Sequence, residues 1–87
     1  MCTYSTERVE VAGSGKGPDG WFPLSLACVY LDHPQHTRAE HTLNIDFLAP
    51  DRGPGARVAV ELTATSAREL VDAITAALAS VPPELTT

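Results

Sequence analysis

All three histidines of the chain fall in one short window, Asp32-His33-Pro34-Gln35-His36-Thr37-Arg38-Ala39-Glu40-His41. Neutral imidazole nitrogens are good ligands for a divalent metal, with zinc the first choice and iron, copper and nickel as alternatives. On this reading His33, His36 and His41 are the ligands. Asp32 or Glu40 serves as a fourth ligand, or as the acceptor that fixes an imidazole tautomer. Three histidines with an open position lower the pKa of a bound water for hydrolysis, or activate oxygen if the metal is redox-active. Cys2 is a second reactive group, a thiolate ligand or a nucleophile favoured by a neighbouring imidazolium or a helix dipole. Cys2 and Glu40 are therefore the candidate catalytic groups. The spacing His-x2-His-x4-His is no dedicated metal signature, however. Asp-His and Glu-His neighbours in a proline-bearing loop also bond each other, so a purely structural role stays open.

Gly13-Ser14-Gly15-Lys16-Gly17-Pro18-Asp19-Gly20 is a glycine-rich segment that invites comparison with a phosphate cradle. It fails that pattern. Lys16 is not followed by Ser or Thr, and no helix follows the segment, so neither a magnesium ligand nor a helix dipole is supplied. It reads as a loop.

The elements that must position these groups follow from composition and pattern. Eighty-seven residues suit one domain spanning 1–87, close to the size at which core burial only just offsets chain entropy, so a homodimer would help. The hydrophobic fraction of 44% with 20% charged residues is that of a folding chain. A net charge of −5, with six Lys and Arg spread singly, offers no basic stripe and argues against nucleic acid. No apolar run is long enough for a membrane span, and Glu7, Arg8 and Glu10 interrupt any leader-like stretch, so the expected compartment is the cytoplasm. Cys28, inside an apolar run, reads as a small buried hydrophobe.

Residues 3–11 alternate, with Glu7, Val9 and Val11 on one face, as a first strand. Ser25–Asp32 is apolar on both faces and reads as a central strand. His41–Phe47 alternates again, with Leu43, Ile45 and Phe47 toward the core and Asn44 and Asp46 away from it. After the turn-rich Ala49–Gly55, Val58, Val60 and Leu62 alternate with Arg57, Ala59 and Glu61 as a fourth strand. Ser66-Ala67-Arg68-Glu69 fits a capping box that opens a helix. Ala67, Leu70, Val71, Ile74, Ala77, Leu78 and Val81 then form an apolar stripe that Pro82-Pro83 ends. The fold class is α+β, a four-stranded antiparallel meander with one C-terminal amphipathic helix packed on one face.

That topology has a consequence for chemistry. In a meander, Cys2, Asp32, His33, His36, His41 and the helix amino terminus lie at one end of the sheet, and the two glycine-rich loops gather at the other. Ala27, Val29 and Leu31 of the second strand are expected on the face the helix leaves open, which another molecule would then cover. Asp46 would line that dimer interface or a pocket.

The opening Met1-Cys2-Thr3-Tyr4 and the run Gly13-Ser14-Gly15-Lys16-Gly17 leading to Gly20-Trp21-Phe22-Pro23-Leu24 are distinctive. So are the stretch from Asp32 through His41 to Phe47, Gly53-Pro54-Gly55-Ala56-Arg57-Val58, and the closing helix. Together they resemble a family of short actinobacterial proteins of unknown function. The resemblance implies a stand-alone, single-domain bacterial protein and brings no activity with it.

The leading functional expectation is a small cytoplasmic metal-binding protein, in the fullest form a homodimeric metalloenzyme acting on a small-molecule substrate. The first alternative is a non-catalytic module that binds a ligand or a protein on the open sheet face. The second is a cysteine-dependent enzyme using Cys2.

Overall fold

The computed structural model describes residues 5–87. Four strands, β1 (Thr6–Gly17), β2 (Gly20–Asp32), β3 (Thr42–Leu48) and β4 (Arg57–Leu62), precede a single α-helix, α1 (Ala64–Ala79). The strands form one antiparallel sheet in the order β1-β2-β3-β4, the meander that short connections favour. The fold is α+β.

The glycine-rich segment is not a loop. β1 runs through Gly13, Gly15 and Gly17, which pair with Leu24, Phe22 and Gly20, leaving only Pro18 and Asp19 as the connection. Gly20 takes a positive φ of 110°, which leaves the turn without strain in a residue lacking Cβ. An irregularity between Glu10 and Gly13 shifts the register, as a bulge does, and increases the local twist. The hairpin then curls toward β4: a Cβ on Gly15 would lie 2.8 Å from Leu24 Cδ1 and 3.2 Å from Val58 Cγ2. Glycine is used here for close approach, a tertiary demand that overrides its poor strand propensity.

Register assigns the two faces. Ala27, Phe47 and Val58 form one cross-strand rung, Val29, Ile45 and Val60 the next, and Leu31, Leu43 and Leu62 the third. All are apolar, so this is the face toward α1. The expectation that Ala27, Val29 and Leu31 would lie on the open face is thereby corrected: the register puts them with Ile45 and Phe47. The open face instead carries Cys28, Asp46 and Ala59 in one rung and Tyr30, Asn44 and Glu61 in the next.

α1 begins earlier than the capping box suggests. Thr63 is the N-cap, its Oγ1 accepting from the Ser66 amide at 3.1 Å, so Ser66 sits inside the first turn. Both residues are good caps; the tight exit from β4 selects the nearer one. The helix lies over β3 and β4, but between its first three turns and the sheet runs an apolar cleft of about 320 Å³, floored by Val29, Leu43, Ile45 and Leu62. Among the described residues the buried apolar ones are Ala27, Cys28 and Ala49, and the largest fully buried side chain is Thr42.

Candidate functional site

The open face carries a polar cluster built on three adjacent strands. The Asp46 carboxylate on β3 accepts from the Tyr30 hydroxyl of β2 at 2.9 Å and from Arg57 Nη2 of β4 at 3.0 Å. Its rung neighbours, Cys28 and Ala59, are small, which leaves room above it for the longer side chains to converge. The Asp46 carboxylate pushes the Arg57 guanidinium further up from its ordinary value, holding it charged. Burial, and then the bond to Asp46, push the Tyr30 hydroxyl up, while a hydrogen bond from Asn44 works the other way. Asn44 is itself buried and accepts from Thr42 Oγ1 at 2.6 Å, so the floor of the cluster is internally satisfied.

Glu61, next to this cluster, clamps the histidine-bearing connection. Its carboxylate accepts from the backbone amides of Gln35, His36 and Thr37, the last two at 3.0 Å. These bonds, the one from Gln35 foremost, hold the Glu61 pKa down to about 2. A depressed carboxylate pKa contributes stability that is present above the unfolded value and lost as pH falls through the folded one. The clamp should thus be whole above about pH 4.5, its unperturbed value, and released around pH 2. Backbone amide shifts of residues 35–37 followed by NMR should titrate with a midpoint near 2; a midpoint near 4.5 would show that the clamp does not form. Glu61→Gln should abolish that transition and accelerate hydrogen exchange at the same three amides.

The structure brings two of the three histidines together. The His33 and His41 rings stack with centroids 4.7 Å apart, at the end of β2 and just before β3. His33 Nδ1 lies 3.0 Å from the Glu40 carbonyl, and donating there sets the tautomer that carries the lone pair on Nε2. Asp32 Oδ1 accepts from the His33 amide at 2.8 Å. His36 goes elsewhere: the Glu61 clamp places it along a neighbouring recess with Gln35, Thr37, Arg57 and Ala59. Among the described residues no three His, Cys, Asp or Glu side chains converge as a metal-holding group. Cys2 lies outside the described residues. The side chain of Glu40 is exposed; it is the backbone carbonyl of this residue that takes part.

Tyr30, Asp32, His33, Asn44, Asp46 and Arg57 line a recess of about 160 Å³, which adjoins the His36 recess through Gln35, Arg57, Ala59 and Glu61. Arg57 remains 49% exposed at the boundary of the two. Sequence reading singled out Asp46 and Asp32 but missed Tyr30, Arg57 and Glu61. Tyr30 was hidden in an apolar run. The signal that could have found it is shared parity: Tyr30, Asp46 and Arg57 all sit on the polar phase of their strands. No helix among the described residues is long and apolar enough to cross a membrane.

The model of a family of unknown function (DUF6295) matches residues 1–87, in keeping with the resemblance read from the sequence. No curated protein and no solved structure matches the chain.

Proposed function

We propose that this chain, which belongs to the family of unknown function just matched, is a cytoplasmic binding module that holds a small polar molecule on the open face of its sheet. The observation that supports this most is the Asp46 carboxylate, bonded at once to Tyr30 and Arg57. It fixes a charged guanidinium at the junction of two recesses, with its remaining donors available at a half-exposed surface. Tyr30, Gln35 and Asn44 line the same recess, so the fitting ligand has a carboxylate for Arg57 and further polar groups for these side chains. A small amino acid or a polyhydroxylated acid is of this class. The strands, rather than a loop, carry the central groups, which gives a preorganised site.

A second reading is favoured by one observation, the stacked His33–His41 pair with its set tautomer beside Asp32. That pair would hold a divalent ion, zinc first, with iron, copper or nickel as alternatives, completed by a residue from outside this cluster. One NMR titration separates the two. Amino acids and hydroxy acids added singly to labelled protein should shift Tyr30, Asn44 and Arg57 resonances, and Arg57→Ala should weaken that binding at least tenfold. Zinc under the second reading shifts His33 and His41 instead, and elemental analysis of untagged protein finds metal that His41→Ala loses. If none of these compounds moves the Tyr30 and Arg57 signals, the small-ligand reading fails.

A further inference from the structure

From the exposure of α1 we infer that the folded protein is a two-fold homodimer in which the helix of each copy fills the apolar cleft between helix and sheet of the other. Leu70, Val71, Ile74 and Leu78 are 42%, 62%, 52% and 57% exposed, although their spacing is that of a buried stripe. The last two turns, Ala73 to Ala79, contain no charged residue at all. A helix that faces water on that side normally carries charge there.

The area is that of an interface. The chain exposes 6578 Å², whereas a compact monomer of 9.2 kDa exposes about 4,900 Å². The excess, about 1,600 Å² per chain, is shared by the α1 stripe and other exposed groups such as Trp21 and Leu85; half of it from each copy would give about 1,600 Å² in total, the size of a stable interface. Shape agrees: the radius of gyration is 14.5 Å, against about 12 Å for a compact chain of this length.

Three features select a second copy over an unrelated partner. The described part of a single chain fully buries no large apolar side chain, and Val29, Leu43 and Ile45 are only half-buried, so covering the stripe would complete a core the chain leaves open. The same face carries a cleft floored by Val29, Leu43, Ile45 and Leu62 and walled by Leu70, Val71 and Ile74, and the exposed ridge of α1 that these three share with Leu78. A two-fold axis puts each ridge in the other's cleft, which is the self-complementarity an isologous contact requires. The polar recess lies on the opposite face, so dimerisation leaves it open to ligand.

Sedimentation equilibrium of the full chain should give twice 9.2 kDa. In a sample mixing carbon-13-labelled and unlabelled chains, isotope-filtered NMR should show contacts between Ile74 or Leu78 methyls and those of Val29, Leu43 or Ile45 in the other copy. Leu78→Asp should weaken the dimer at least 100-fold, while Ala76→Asp, on the opposite side of α1, should not. A monomer whose Ile74 contacts lie all within one chain would overturn the proposal, because the helix would then have closed on its own sheet. So would a dimer joined elsewhere, for instance through Trp21.

Discussion

Ile74→Asp is expected to leave the chain largely unfolded at micromolar concentration, a loss of about 4 kcal/mol or more. In an isolated chain the effect would be small. Ile74 is 52% exposed there, so half of its apolar surface already meets water, and the substitution would cost about 1 kcal/mol in lost burial and helix propensity. In the proposed dimer the same side chain would be enclosed by the partner's sheet. Aspartate would then lose the full burial of isoleucine and bring a carboxylate into a cleft whose lining is apolar apart from Arg68 at its edge. The difference of several kcal/mol decides between the two. Urea unfolding of wild type, Ile74→Asp and the opposite-face control Ala76→Asp, each at two protein concentrations, provides the measurement. Wild-type stability should rise with concentration, as mass action requires of a folded dimer in equilibrium with unfolded chains.

Asp46→Ala should cost about 2–4 kcal/mol, more than any other single change on the polar face. Asp46 is the one acceptor shared by Tyr30 and Arg57, and its side chain is only 16% exposed. Removing it leaves a hydroxyl and a guanidinium donor facing a gap. Arg57→Ala alone should cost less, because Arg57 is half exposed and water replaces its bond. The double variant should be more stable than the sum of the two single losses, since deleting Arg57 removes one of the orphaned donors. A second readout is independent of stability. Burial pushes Tyr30 up most and would persist, but the hydrogen bond and charge of Asp46 add to it, so Asp46→Ala should lower the Tyr30 hydroxyl part of the way toward its ordinary value of 10.0. Ultraviolet absorbance against pH reads this directly. Additive losses with an unchanged Tyr30 titration would mean that the three side chains do not act as one cluster.

Much of the architecture was legible because it is written in local periodicity. Alternation in Leu43–Phe47 and Val58–Leu62 placed β3 and β4 within a residue or two, and the three-four spacing from Ala67 onward marked α1. The Gly13–Gly20 segment was misread for a physical reason. Glycine lacks strand propensity, and nothing local announces that Leu24 and Val58 will press against Gly15. The helix start slipped by three residues because Thr63 and Ser66 are equivalent caps in sequence, and only the geometry of the β4 exit chooses between them.

The candidate site shows the same division. The order of elements determined that Asp32, His33 and His41 share one end of the sheet, because a meander with short turns allows no other arrangement. It could not determine that His36 leaves that group, since this depends on a carboxylate 25 residues away taking its amide. Residue types and spacing by themselves thus specified strands, helix, meander and the polar phase of β3 and β4, all consequences of interactions within a few residues. Which polar groups meet, and that the helix stripe stays uncovered by its own sheet, were decided only in three dimensions. Cross-strand register and the angle of α1 belong to the packed whole, and no local pattern encodes them.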